Sequence, residues 1–135
     1  MTGQTLLVPI RVPLTDASKQ TLRGAMEHAS SLDGAHLYVL HVNVVHRDDR
    51  VTRADLQQCV EEQFGPLENA SYHIRETFLL EEAILDEAYQ QDVDAVVIGH
   101  PRRSRLRRIL ENRLDLSVDL ESFLEKHLDA DLVVV

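Results

Sequence analysis

The sequence is poor in cysteine and lysine, and it contains no long apolar run. Because Cys59 is the single cysteine, the chain can form neither an intramolecular disulfide nor a cluster of thiolates around a metal. No segment approaches the roughly 20 apolar residues of a membrane span, and residues 1–12 lack the basic and apolar parts of a signal peptide. These absences predict a cytoplasmic protein that does not bind membranes.

Acidic residues dominate the charge of the chain. They number 23 against 14 lysines and arginines, which gives a formal net charge of -9. Lysine occurs only at Lys19 and Lys126, so arginine supplies the other basic side chains. An acidic, lysine-poor surface suits a salt-rich cytoplasm, and we therefore expect a salt-adapted protein. The same excess of negative charge repels phosphates and argues against general nucleic-acid binding.

Strand and helix patterns alternate along the chain, which is predicted to form a single domain over residues 1–135. Short, nearly continuous apolar runs predict buried strands, and apolar spacings of three and four predict helices between them. This alternation indicates an α/β fold with an open, doubly wound, five-stranded parallel sheet and helices on both faces. Ligands bind such sheets beyond the carboxyl ends of the strands. The predicted strands are residues 5–12, 36–44, 71–79, 93–99 and 131–135.

Several predicted helices carry boundary signals. Thr15 or Asp16 can cap the helix that follows the first strand. Thr52 with Asp55 resembles a capping box, and the helix after it places Cys59 on its apolar face as a small buried side chain. Further helices are predicted at 81–91 and around 106–110 and 120–128.

The most basic part of this acidic chain follows the predicted fourth strand. Five of the seven residues from Arg102 to Arg108 are arginines. Arginines in the first turn of a helix oppose the helix dipole, and a bound anion would offset that repulsion. Their guanidinium groups could bind a phosphate or a carboxylate through paired hydrogen bonds, with Arg11 arriving from a neighbouring strand end. The alternative is a solvated cluster whose arginines pair with acidic neighbours on the surface.

Four stretches of the chain follow one another in the order and spacing of a known family. They are TLLVPIRVPLTDASKQTLRGAMEHA, GAHLYVLHV, DAVVIGHPRRSRLRRIL and SVDLESFLEKHLDADLVVV. Over essentially its whole length the chain thereby resembles the universal stress protein family. The resemblance implies five parallel strands in the order 3-2-1-4-5 and a homodimer, and it raises ATP as a ligand because many members bind it.

Nucleotide-binding members of that family carry the signature G-x2-G-x9-G-[S/T] after the fourth strand. Glycines there let backbone N–H groups approach phosphates closely. Gly99 matches the first glycine, but Arg102 stands at the second, and of the final pair only Ser117 remains when the last helix is aligned. Arg11 occupies the place of an aspartate that contacts the nucleotide in the family. The resemblance therefore implies a member with a degenerate ATP-binding motif.

We accordingly expect a regulatory or binding module that lacks standard ATP binding, has no catalytic residue and no metal site, and binds a small anion. A homodimer is expected through Leu132–Val135, because this apolar strand would lie at a sheet edge with unpaired backbone groups. Two alternatives stay open: an active, adenylate-handling member of the wider adenine nucleotide alpha-hydrolase-like group, and a metal-binding or pH-sensing pair formed by His41 and His100. The residues expected to bind the ligand are Arg11, Gly99, His100, Arg102, Arg103 and Ser117.

Overall fold

Strands and helices alternate along the chain, as the sequence predicts. The computed structural model describes residues 3–45, 50–99 and 120–135. Within these ranges the strands are β1 Thr5–Pro9, β2 His36–Val44, β3 Ala70–Thr77, β4 Ala95–Ile98 and β5 Asp131–Val134, and the helices are α1 Asp16–Ser31, α2 Arg53–Phe64, α3 Leu80–Gln90 and α4 Leu120–His127.

The five strands form one parallel sheet in the order β3-β2-β1-β4-β5. β1 pairs with β2 from Thr5 opposite His36, and with β4 from Leu6 opposite Ala95. This arrangement confirms the expected open, doubly wound sheet. Because β2 and β3 lie to one side of the β1–β4 pair and β5 lies to the other, the winding changes direction between β1 and β4.

Helices cover both faces of the sheet and form two apolar layers. Alternate residues of β1 point into opposite layers, with Leu6 and Val8 facing α1 and α2 and Leu7 facing α3 and α4. Each of these side chains is fully buried, and such burial stabilises the fold by about 2 kcal/mol per residue. The helices contribute Leu22, Ala25, Leu56 and Val60 to the first layer and Ala83, Ile84, Ala88 and Leu124 to the second.

None of the four helices within the described ranges has the length and hydrophobicity needed to cross a bilayer.

Helices α1 and α2 begin at capping residues that the sequence predicts. Thr15 is the cap of α1, and its Oγ1 accepts a hydrogen bond from the Ser18 N–H at 3.0 Å. Asp16, the other candidate, is the first helical residue. At α2 the Thr52 hydroxyl accepts from the Asp55 N–H at 3.1 Å, while the Asp55 carboxylate accepts from the Thr52 N–H at 3.0 Å. The expected capping box is therefore present.

The first strand is shorter than the sequence predicts. β1 ends at Pro9, and its ladder closes with a bond from the Ile10 N–H to the Leu40 carbonyl at 2.9 Å. The next N–H, that of Arg11, donates to the Ser18 hydroxyl instead of a neighbouring strand. This side-chain acceptor turns the backbone away from the sheet and into the connection that leads to α1.

Cys59 is half-buried, which corrects the expectation that it would be a buried side chain of α2. The buried residues of this helix are Leu56 and Val60, and Cys59 lies at the border of the face that they form. The buried face is narrow because α2 contacts the sheet mainly at β3, an edge strand. β3 is more exposed than β2, its neighbour in the sheet, and Tyr72 is the one buried residue of β3.

A polar network ties α3 to β2 and β3. The Tyr38 hydroxyl donates to one carboxylate oxygen of the buried Glu87, and Arg75 Nη1 donates to the other at 2.7 Å. Arg75 also pairs with Asp86, and the His73 ring stacks on the Tyr38 ring with centroids 3.7 Å apart. Burial, together with the hydrogen bond to Glu87, raises the pKa of Tyr38 above its ordinary value. The phenol therefore stays protonated and remains a hydrogen-bond donor.

Candidate anion site at the carboxyl edge of the sheet

The ends of β1 and β4 meet at the carboxyl edge of the sheet, where the winding changes direction. The two strands run side by side in parallel, and Arg11 and Gly99 follow their ends. Crevices at such positions are where open α/β sheets bind ligands. Because Arg11 is exposed, its guanidinium is accessible to a ligand at this edge.

Two buried side chains hold the peptide unit between Ile10 and Arg11. His41 Nδ1 lies 3.3 Å from the Ile10 carbonyl oxygen, and the Ser18 hydroxyl accepts a hydrogen bond from the Arg11 N–H at 3.1 Å. Both His41 and Ser18 are 7% exposed. The two polar groups of one peptide unit are thus satisfied from β2 and from α1, which fixes the point where the Arg11 side chain begins. We call this arrangement the peptide clamp.

The imidazole of His41 is neutral at pH 7. Burial lowers its pKa below the ordinary value of 6.5, and the Arg11 guanidinium lowers it further, while hydrogen bonds with the Ile10 carbonyl and Asn43 act in the opposite direction. A carbonyl oxygen can only accept a hydrogen bond, so the single hydrogen of the neutral ring lies on Nδ1. His41 therefore acts in the peptide clamp as a donor.

Gly99 lies tightly against α1. A Cβ atom on this glycine would be 2.4 Å from Thr21 Oγ1, well inside van der Waals contact. Thr21 is itself buried, and its hydroxyl donates to the Ala17 carbonyl at 2.9 Å. No side chain fits at position 99 unless Thr21 moves, so packing alone calls for glycine there.

Asn43 binds the backbone segment that leads into α2 and holds it at the carboxyl edge of the sheet. Its Nδ2 donates to the Val51 carbonyl at 2.9 Å, and its Oδ1 accepts from the Val51 N–H at 3.1 Å. The amide is buried, and these bonds hold Val51 beside the carboxyl end of β2. The start of α2 is therefore fixed relative to the candidate site.

The structure describes two of the six residues predicted to bind the ligand. Arg11 and Gly99 lie at neighbouring strand ends, as predicted. The joint action of the six stays a prediction, because the other four lie outside the described residues: His100, Arg102, Arg103 and Ser117.

The described ranges contain no group of three or more histidine, cysteine, aspartate or glutamate side chains arranged to hold a metal. His41 directs one ring nitrogen at a carbonyl oxygen rather than at another ligand side chain. Its predicted pairing with His100 stays untested, because His100 lies outside the described residues.

A sequence profile described as the Universal stress protein family matches residues 4–115. The match spans most of the chain and includes both strand ends of the candidate site. The chain belongs to the universal stress protein family. No curated protein matches it.

Three of the solved structures of universal stress proteins that share the fold do so over nearly their full lengths. Universal stress protein UspA from Lactobacillus plantarum is 18% identical, with a TM-score of 0.64 over 100% of this chain and 99% of that one. A universal stress protein in complex with cAMP is 14% identical, with a TM-score of 0.65 over 100% and 98% of the two chains. One from Archaeoglobus fulgidus in complex with dAMP is 16% identical, with a TM-score of 0.62 over 99% and 98%. At these identities the likeness establishes the fold.

Several residues that shape the site of this universal stress protein were not predicted from its sequence. The sequence patterns assign no role to Ser18, Thr21 and Asn43, and they indicate His41 only as a metal ligand or pH sensor. A signal was present, because Ser18 and Thr21 fall on the helical face of α1 that also carries Leu22. Hydroxyl groups on an apolar helix face need hydrogen-bond partners, which indicates contacts with neighbouring backbone.

Proposed function

We propose that this universal stress protein is a regulatory or binding module without catalytic activity. It binds a small anion at the carboxyl edge of the sheet and does not bind ATP in the standard manner of its family. The observation that carries the proposal is Arg11, an exposed and permanently charged side chain at the end of β1. A guanidinium attracts a phosphate, sulfate or carboxylate group, whereas the aspartate that it replaces would repel one.

The peptide clamp supports recognition by side chains rather than by backbone. Standard phosphate binding uses free backbone N–H groups that glycines leave accessible. At the end of β1 the Arg11 N–H already donates to Ser18. At the second glycine position of the family signature stands Arg102. Both features favour an anion held by arginine side chains, with His100, Arg103 and Ser117 as further contacts.

We also propose that the protein is a homodimer that pairs through Leu132–Val135. β5 is an edge strand of the sheet, and its residues Leu132, Val133 and Val134 are only half-buried. An exposed edge of apolar residues favours pairing with another strand, and a second copy of β5 is a suitable partner. Sedimentation at micromolar concentration should give the mass of two chains. A single-chain mass would contradict this assignment.

The acidic surface supports a cytoplasmic, salt-adapted protein. Its free energy of unfolding by urea should be higher in multimolar potassium chloride than in dilute buffer, because salt screens the repulsion between carboxylates. Equal stability in both buffers would contradict the salt adaptation.

Nucleotide binding is the second candidate function, including adenylate handling as in the wider adenine nucleotide alpha-hydrolase-like group. The observation that favours it is that two relatives of the same fold are complexes with cAMP and dAMP. In this chain such binding would need a mode that tolerates Arg11 in place of the family's aspartate.

Calorimetric titration with sulfate, phosphate, ATP, cAMP and dAMP, at low and multimolar salt, tests both functions. We expect sulfate and phosphate to bind the wild type, and Arg11→Gln to weaken them at least about tenfold. Arg23→Gln, a charge change farther along α1, should leave binding unchanged. The double variant Arg102→Ala, Arg103→Ala tests the predicted further contacts.

Two results would contradict the proposed function. One is equal sulfate binding by the wild type and Arg11→Gln. The other is ATP binding with turnover in a phosphate-release assay, which would favour the adenylate-handling alternative.

A further inference from the structure

His41 is a buried titratable group next to Arg11, and the proposed function does not yet use it. Its Nδ1 contacts the carbonyl oxygen of the peptide unit from which the Arg11 side chain starts. The residue is 7% exposed, so its ring cannot turn toward solvent without leaving the peptide clamp. The imidazole is therefore held beside the peptide unit that carries the Arg11 side chain.

Among the described residues, Arg11 is the charged group next to His41, and its field acts on this imidazole. The other groups near the ring are uncharged. They are the Ile10 carbonyl at the end of β1, the Ser18 hydroxyl on α1 across the same peptide unit, Asn43 on the same strand as His41, and Ile74, which pairs with His41 from β3.

We propose that His41 is a positioning residue of the Arg11 site and that protonation of its imidazole strengthens anion binding there. The inference rests on the proposed function, because it concerns the same site. A protonated His41 and Arg11 repel each other, and an anion bound at Arg11 relieves that repulsion. Proton uptake and anion binding therefore favour each other, and the coupling is reciprocal.

The direction in which anion affinity changes with pH follows from the protonation state of His41 in the free protein. Burial first, and Arg11 after it, hold the pKa of His41 below 6.5. The free protein thus has a neutral imidazole in neutral solution and takes up the proton only on acidification. Anion affinity should therefore rise as the pH falls below about 6.5 toward the lowered pKa of His41.

Sulfate is the probe for the test, because it remains a dianion over this pH range. Any change of sulfate affinity with pH therefore comes from a titrating group of the protein. We expect wild-type affinity for sulfate to be about fivefold higher at about pH 5.5 than at about pH 8. His41→Gln keeps an N–H donor for the Ile10 carbonyl but cannot take up a proton. The His41→Gln variant should bind sulfate like the wild type at about pH 8, and its sulfate affinity should increase much less on acidification. A rise of the same size in His41→Gln would overturn the inference.

Two further histidine variants serve as controls. His36→Gln changes a half-buried histidine at the opposite end of β2 and should keep the full rise. His100→Gln tests the other histidine assigned to this edge from the sequence. A rise that disappears in His100→Gln and persists in His41→Gln would overturn the role of His41.

A titration of the His41 ring by NMR decides the matter if His41→Gln does not fold. The pKa of His41 should be higher in saturating sulfate than without it, and higher in Arg11→Gln than in the wild type. Sulfate binding that leaves this pKa unchanged overturns the coupling and leaves the proposed anion site intact. Absence of sulfate binding at every pH overturns both.

Discussion

Gly99 and Thr21 are in such close contact that a Cβ atom on the glycine would lie 2.4 Å from the threonine hydroxyl oxygen. We therefore predict that Gly99→Ala lowers the free energy of unfolding by about 2 kcal/mol, because a buried methyl group overpacks this contact. Urea denaturation of the two proteins measures the difference.

The second member of the pair provides the control. Thr21→Ala removes the oxygen, and the next atom of Thr21 is 3.7 Å from the added Cβ, an ordinary contact. Gly99→Ala should therefore be less destabilising in a Thr21→Ala background, by about 1 kcal/mol or more in a double-mutant cycle. Thr21→Ser, which keeps the hydroxyl, should rescue less. Additive effects of Gly99→Ala and Thr21→Ala would contradict the contact.

Gly24 allows a test of how Val135, the residue after β5, packs against α1. It lies inside α1, where replacing glycine by alanine ordinarily stabilises a helix by about 1 kcal/mol. A Cβ atom there would be 2.5 Å from the Cβ of Val135, whose N–H is bonded to the Ile98 carbonyl at 2.9 Å. We predict that Gly24→Ala destabilises the protein and that the ordinary gain returns when Val135→Gly is added. Thermal melts of the four proteins in this cycle measure both effects. A gain from Gly24→Ala alone would show that Val135 is not packed on α1.

Glu87 is the residue on which the α3 network depends. Glu87→Ala leaves the Tyr38 hydroxyl without its acceptor and removes one of the two carboxylates of Arg75, and we expect a loss of about 2 kcal/mol in the free energy of unfolding. Glu87→Gln keeps an acceptor oxygen and should lose less. Glu82→Ala, at an exposed position of the same helix, should stay within about 0.5 kcal/mol of the wild type. Equal effects at positions 87 and 82 in urea denaturation would contradict a structural role for the network.

Much of the fold could be predicted because it depends on local patterns. The apolar run Ala95–Ile98 and the capping pair of Thr52 and Asp55 each carry their signal within a few residues. The end of β1 could not be predicted in this way. The backbone leaves the ladder at Arg11 because Ser18 accepts its N–H, and that contact depends on how α1 lies against the sheet.

The candidate site was harder to predict than the fold. The family resemblance assigns Gly99 to a phosphate-binding signature, whereas its packing against Thr21 calls for glycine with or without a ligand. Ser18 and His41 gain their roles only when α1 and β2 meet across the Ile10–Arg11 peptide unit. Periodicity indicates which face of an element is buried, but not which distant residue it meets there.

The pKa of His73 allows a prediction of how the free energy of unfolding depends on pH. Burial lowers the pKa of this half-buried ring; the Glu87 carboxylate opposes that shift, and Arg53 reinforces it. The folded pKa therefore lies below the ordinary value of 6.5 that applies in the unfolded chain. Below pH 6.5 the unfolded state binds more protons than the folded one, so this contribution to stability is present above pH 6.5 and is lost as the pH falls through the folded pKa.

We accordingly expect a lower free energy of unfolding at about pH 5.5 than at about pH 7.5. His73→Gln should show a smaller drop, because the folded protein then no longer excludes a proton at this position. His41, whose pKa is also lowered by burial, should keep part of the drop in that variant. His28→Gln, a change near the end of α1, serves as the matched control and should retain the wild-type drop. If urea denaturation gives the same drop for the wild type and His73→Gln, the ring stacked on Tyr38 does not resist protonation and is more open to water than its packing indicates.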